Sequence, residues 1–167
     1  MKIKWDVLSV TFLLVAVVAL AALAYHGCSG KARASELPCG DLEAKVLRVI
    51  DGDTVVVKLN GRKLRVRMLN LDAPEIKDKR MAVRKIARKA KIRLRSLIRA
   101  SKGVVQLSPA RGFECLFLDV YRRALARLFV QDQTGAWVEA ATILVSEGLA
   151  CHRRVRRRNC DPRPITD

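Results

Sequence analysis

Acidic side chains are in short supply in this chain: 16 Asp and Glu stand against 33 Lys and Arg, a formal net charge of +17. The shortage excludes a neutral or acidic surface, and the arginine-dominated excess goes far beyond what solubility needs. Such a surface attracts nucleic acid or anionic lipid through counterion release and long-range steering. Paired C-x-x-C motifs are also missing, so Cys151-His152 with Cys160 has only the look of a zinc half-site. Nothing resembles an element that reads base edges in a groove, so recognition of a particular base sequence is not expected. With the hydrophobic N-terminal segment set aside, about 130 residues remain, enough for one compact domain and not two.

Residues 7–25, VLSVTFLLVAVVALAALAY, contain no charge and follow Lys2 and Lys4. That is the charge order of an export signal whose N-terminus stays inside. Residues 1–25 read as a signal peptide or a transmembrane anchor helix, and both readings stand. The run exceeds a usual signal-peptide core and approaches a membrane span, yet Ala22-Leu23-Ala24 and Ala32-Arg33-Ala34 resemble small-residue cleavage sites. Tyr25, His26 and Gly27 make a poor lipidation box before Cys28. The remainder is expected outside the cytoplasm, periplasmic or extracellular, and either anchored to the membrane or released. Five cysteines in an exported chain favour disulfides. Cleavage after Ala34 leaves Cys39, Cys115, Cys151 and Cys160, with three possible pairings.

Residues 26–41, rich in Gly, Ser and Ala, read as a linker, and residues 42–152 as the folded domain. Residues 44–50, 54–59 and 63–71 are short β-branched runs, and Asn60-Gly61 is a two-residue hairpin signal. From Asp78 to Ser101 the period changes: Val83, Ile86, Ala87, Ala90, Leu94, Leu97 and Ile98 recur at three and four, among many Lys and Arg. This predicts one long amphipathic helix with a cationic outer face. Residues 104–107 and 124–130 read as strands, and residues 138–147 as a short helix stopped by Gly148 in the position of a left-handed cap. The order β-β-β-α-β-β-α predicts a mainly β, α+β fold: a five-stranded barrel of the OB type with two packed helices. Residues 153–167, with Arg154 and Arg156 among six arginines, read as a basic, disordered tail.

The chemistry concentrates between Arg48 and Glu75, where R-V-I-D-G-D-T is followed by R-M-L-N-L-D-A-P-E. Acidic groups cluster there on an otherwise basic surface, which suggests a metal and a phosphate. Phosphodiester hydrolysis needs help with the attacking water, with charge on the phosphoryl oxygens and with the leaving alkoxide. Asp53 and Asp72 are hard oxygen ligands suited to calcium, Ca2+. Glu75, after Pro74, is placed to orient or deprotonate water. Arg67 and Arg123 offer planar forks for phosphate. Taken alone, D-G-D-T also fits a turn in which an Asp side chain caps its own backbone.

V-I-D-G-D-T, R-M-L-N-L-D-A-P-E, D-V-Y-R-R-A-L-A at residues 119–126 and E-G-L-A at residues 147–150 resemble, in order, the signatures of the staphylococcal nuclease (thermonuclease) family. The resemblance implies a calcium-dependent nuclease that cleaves DNA and RNA without sequence specificity and leaves 3′-phosphates. It places calcium on Asp53, Asp72 and the Ala73 carbonyl, with Asp51 behind them. It makes Glu75 the water-orienting group, Arg67 and Arg123 the phosphate contacts, and Tyr121 a neighbour of the nucleotide phosphate. Arg122 departs from the family pattern, standing where a glycine is usual, so the backbone there is expected to differ and Arg123 to be aimed differently. The base-framing tyrosines after E-G-L-A are absent, with Arg154 and Arg156 nearby instead, and the family's C-terminal helix is missing; a bridge to Cys160 would replace it as a brace. The rival readings are a nucleic-acid-binding module of the same fold without turnover, and a membrane-associated cationic protein whose helix 78–101 binds lipid.

Overall fold

The computed structural model of the chain describes residues 37–153. The expectations for residues 1–36, including the signal or anchor, and for Arg154, Arg156 and the rest of the tail lie outside the described residues. Among the described residues no helix is long and apolar enough to cross a membrane.

Three antiparallel strands open the fold: β1 (Leu42–Val49), β2 (Thr54–Leu59) and β3 (Arg62–Met68). Leu59 pairs with Arg62 across Asn60 and Gly61, both at positive φ, which is the two-residue turn that Asn-Gly favours. The register of β1 against β2 slips between Val46 and Arg48, a bulge at Leu47. The extra residue turns Leu47 outward and returns Val49 to the core.

The expected third strand is shorter than the sequence suggests. The chain turns at Leu69-Asn70, with Asn70 at φ 58°, and re-enters as β4 (Leu71–Asp72). Helix α1 (Met81–Ala100) begins three residues later than expected, because the Asp78 carboxylate accepts the Arg80 N–H (2.8 Å) in a turn ahead of it. Val83, Ala87, Ala90, Leu94 and Ile98 form its buried stripe. At its end the buried Ser101 hydroxyl donates to the Val104 carbonyl (2.6 Å) and accepts the Gln131 N–H (3.0 Å), tying the helix to two strands.

Strands β5 (Val104–Ser108) and β7 (Ala124–Gln131) complete the barrel, with the two-residue β6 (Phe117–Leu118) on the outer edge of β7. The order β3-β2-β1-β5-β7 closes when β3 pairs in parallel with β7, Val66 opposite Ala124 and Arg67 opposite Leu125. The five-stranded barrel is therefore as expected. The second helix is shorter than expected: Trp137 and Val138 join β8 (Trp137–Glu139), a hairpin partner of β7, and α2 spans Ala140–Ser146. Gly148, at φ 66°, ends it as expected, with the Leu149 N–H reaching the Leu144 carbonyl and the Gly148 N–H reaching that of Val145. The ion pair of Arg93 with Glu147 then clamps α1 to this end of α2.

Two long-range closures had no local signal. Strand β9 (Cys151–His152) pairs with β4, setting Cys151 opposite Asp72. Cys39 is disulfide-bonded to Cys115, one of the pairings left open, and Cys151 is also disulfide-bonded. Leu37 packs on the core, so the end of the expected linker is fastened to the barrel.

Gly52 marks the closest approach of the D-G-D turn to the rest of the fold. A Cβ there would lie 2.7 Å from the Ala73 Cβ and 2.8 Å from the Ala90 Cβ. Gly52→Ala should force these three segments apart and destabilise the protein by about 1–3 kcal/mol. A urea unfolding midpoint equal to that of the unsubstituted chain would refute the contact.

Candidate active site

The turn between β1 and β2 is held by its own backbone, with the Ile50 N–H donating to the Thr54 carbonyl (2.9 Å) and the Asp51 carboxylate accepting the Asp53 N–H (3.2 Å). Asp51 thus caps the turn and thereby supports Asp53. The Asp53 carboxylate is buried and accepts from the Thr54 hydroxyl (2.9 Å) and the Ala73 N–H (3.1 Å). A buried charge needs such partners, because its desolvation is otherwise uncompensated.

Its main partner is Arg67. On β3, Val66 and Met68 face the core, so Arg67 points to the opposite face, where Asp53 and β4 cover it. One terminal nitrogen of the guanidinium pairs with Asp53. The other donates to Asp72 Oδ1 (3.1 Å) and to the Leu71 carbonyl (3.3 Å). Two carboxylates, one from the β1–β2 turn and one from β4, thus converge on one cation. The buried Arg67 Nε meets no acceptor among the described residues. Burial pushes the Asp53 carboxyl from 3.8 up to about 7, although the Arg67 charge opposes the rise and Asp51 adds to it.

The donor set fits a hard divalent cation of the calcium type: two carboxylates brought within reach of a single positive charge, with the Ala73 backbone beside them. It does not fit a closed protein cage. Among the described residues no group of three or more His, Cys, Asp or Glu is arranged to hold a metal. Glu75 lies in the loop after β4 and is exposed, and its carbonyl accepts the Asp78 N–H (3.1 Å).

Arg123 belongs to the hairpin joining β6 to β7. Asp119 N–H donates to the Arg123 carbonyl and Arg122 N–H to the Asp119 carbonyl, enclosing a three-residue loop whose last residue is Arg122. Arg122 has φ 59°, the left-handed conformation usual for glycine in such loops. The expected change of backbone path is therefore not what the arginine produces: it adopts the glycine-type conformation and bears the strain. Asp119 organises the loop by accepting the Tyr121 N–H and Arg123 N–H (both 2.9 Å), and it grips the Arg123 guanidinium at 2.6–2.7 Å. Burial pushes the Asp119 carboxyl up, but the bonds from Arg123 outweigh it and hold the group below its ordinary value. The guanidinium also lies 5.2 Å from the centroid of the exposed Tyr121 ring. In the β3–β7 register Arg67 is opposite Leu125, and alternation puts Arg123, two residues earlier, on the same outward face.

The structure therefore unites Asp51, Asp53, Asp72, Arg67 and Ala73, and sets Arg123 with Tyr121 in the hairpin that leads into the neighbouring strand β7. It leaves Glu75 on the adjoining loop. Thr54 and Asp119 were not singled out from sequence; the D-G-D-T and D-x-Y motifs contain them, but only the folded geometry shows their hydrogen bonds.

Residues 65–164 match the family model described as Staphylococcal nuclease homologue. The matched span begins in β3 and includes Arg67, Asp72, Glu75 and the Arg123 hairpin, while Asp53 lies ahead of it. The chain is 35% identical over 103 residues to the protein named Endonuclease YncB of Bacillus subtilis (strain 168), covering 62% of this chain and 44% of that protein. It is 46% identical over 39 residues to a protein named Uncharacterized endonuclease in Escherichia coli O157:H7, covering 23% and 26% respectively. The chain thus spans less than half the length of the curated relatives it matches.

A non-glycine residue in the left-handed region is strained, so Arg122→Gly should raise stability by about 1 kcal/mol and leave the Asp119–Arg123 pair in place. Thermal unfolding of the two proteins side by side checks this, and a lower midpoint for the glycine form would contradict it.

Proposed function

The chain belongs to the staphylococcal nuclease homologue family, and from that premise we propose that it is an exported, calcium-dependent nuclease acting on DNA, RNA or both without base-sequence specificity. The observation that carries the proposal is the pair of carboxylates, Asp53 and Asp72, converging on a buried arginine whose Nε has no acceptor among the described residues. The Cys39–Cys115 disulfide supports export, since such bridges persist in oxidising compartments.

Asp53, Asp72 and the Ala73 carbonyl would hold calcium, which when bound supplies Lewis-acid polarisation of the phosphoryl oxygen. Glu75, exposed, orients a water and takes its proton as the oxygen attacks phosphorus. The bond from phosphorus to the 5′ oxygen breaks, giving a 3′-phosphate and a 5′-hydroxyl. Arg67 and Arg123, the latter aimed by Asp119, bind phosphate oxygens and counter their charge. Asp51 acts at one remove by holding the turn that carries Asp53.

The test is digestion of single-stranded DNA and of RNA by the full-length chain with calcium and with chelator, beside Glu75→Gln. Calcium-dependent cleavage to 3′-phosphates, reduced about 10²–10⁴-fold in the variant, is expected. Salt-sensitive binding without cleavage, by protein shown to be folded and oxidised, would replace the enzyme with a binding module of the same fold.

A further inference from the structure

Helix α1 contains eight Lys and Arg and no Asp or Glu. Arg93 is committed to Glu147, and Arg84 donates to the carbonyls of Asp78 and Lys79. Lys85, Arg88, Lys89, Arg95 and Arg99 are exposed and have no partner among the described residues. Their spacing puts them on one outward stripe, opposite the buried face, about 21 Å long at 1.5 Å per residue. At its C-terminal end the stripe meets a second feature. A cavity of about 290 Å³ lies between α1 and β1, and its charged lining is Arg48, Arg95 and Arg99, with no acidic residue.

We propose that this groove, continued along the α1 stripe, is a second, non-catalytic binding track for the phosphodiester backbone of nucleic acid, gripping the substrate away from the scissile bond. The proposal rests on the nuclease reading for its purpose, though not for its chemistry. Three guanidinium groups around one concavity suit the oxygens of a phosphate, and the row of unpaired cations beyond suits successive phosphates. The track is joined to the catalytic region through the chain itself. Arg48 stands near the end of β1, the Asp51–Asp53 turn follows directly, and Gly52 in that turn abuts Ala90 at the middle of α1.

A membrane surface fits this face less well. A helix that lies in a bilayer interface presents an apolar face to the acyl chains, whereas the apolar stripe of α1 is buried against the barrel. Only Met81 and Ile92 among its large apolar side chains are exposed.

The test compares the full-length chain with two triple variants, Arg48→Gln/Arg95→Gln/Arg99→Gln in the groove and Lys85→Gln/Arg88→Gln/Lys89→Gln on the stripe, and with Arg→Lys at the three groove positions. Removing like charges relieves repulsion, so the variants should fold, which circular dichroism and unfolding midpoints check. Binding of a short DNA duplex is measured in chelator across a salt series. Loss of each phosphate contact lowers the slope of log affinity against log salt by about 0.9, so each Gln variant should lose up to about 3 in slope and at least roughly tenfold in affinity near 0.1 M salt. The Lys variant should retain most of both. Hydrolysis of a dinucleotide, too short to reach the track, should be unchanged.

Equal slopes and affinities in the wild type and the Gln variants would overturn the proposal. So would loss of binding to phosphatidylserine vesicles with duplex binding intact, which would reassign the surface to lipid. Failure of the nuclease reading shows separately, as absence of hydrolysis by the wild type on either substrate, and the binding arm still decides the track.

Discussion

The ion triad of Arg67 with Asp53 and Asp72 is the constraint on which the rest of the candidate site depends. Withdrawing charges from water costs several kcal/mol per ion in real proteins, and only good geometry with further hydrogen bonds recovers it. Here the compensation comes from the Thr54 hydroxyl, the Ala73 N–H and the Leu71 carbonyl. Each belongs to a segment that must therefore stay in register: the start of β2, the loop after β4, and β4 itself. Arg67 also stands at the seam where β3 closes on β7. The residue that bridges the two carboxylates is thus also a residue of the barrel's closing seam.

The two carboxylate–arginine partnerships divide the electrostatic work by burial. Deep in the fold, desolvation dominates and lifts Asp53 to about 7, although the Arg67 charge opposes the rise. Nearer the surface, the bonds to Arg123 dominate and hold Asp119 below its usual range. The first environment favours uptake of a cation, since a nearby positive charge stabilises the ionised form. The second stabilises the ionised Asp119 and keeps the Arg123 side chain pointed. Parallel pairing of β3 with β7 puts both partnerships on one face.

Elements with a period were legible in the sequence, and contacts made by single residues were not. Alternation, Asn60-Gly61 and the three-four spacing from Val83 to Ile98 identify the barrel strands, the hairpin and α1. Gly148 marks the end of α2 for a steric reason that is local. By contrast, β4 and β9 are two residues each and gain their identity only by finding one another. The candidate residues Asp53 and Asp72 stood out because acids are rare here, yet nothing in their spacing says that the Arg67 guanidinium bridges both carboxylates. Gly52 looks like a turn residue and acts as a packing residue between Ala73 and Ala90. Arg122 looks like a change of backbone path and instead keeps the glycine-type conformation at a cost in strain. The pairing of Cys39 with Cys115 depends on how residues 37–41 lie along the loop before β6.

Helix α1 shows why tertiary packing must outweigh local preference in so basic a chain. Like charges recur at i and i+4 in Arg84/Arg88, Lys85/Lys89, Lys89/Arg93, Lys91/Arg95 and Arg95/Arg99, each pair destabilising an isolated helix by about 0.2–0.5 kcal/mol. No acidic residue stands in its first turn to favour the helix dipole. The helix persists because five buried side chains hold one face to the barrel and Glu147 neutralises Arg93. The outer face consequently carries repulsion that no internal partner relieves. A polyanion lying along it removes that repulsion, so anything that binds there also stabilises the helix and, through Ala90 against Gly52, the turn that carries Asp53.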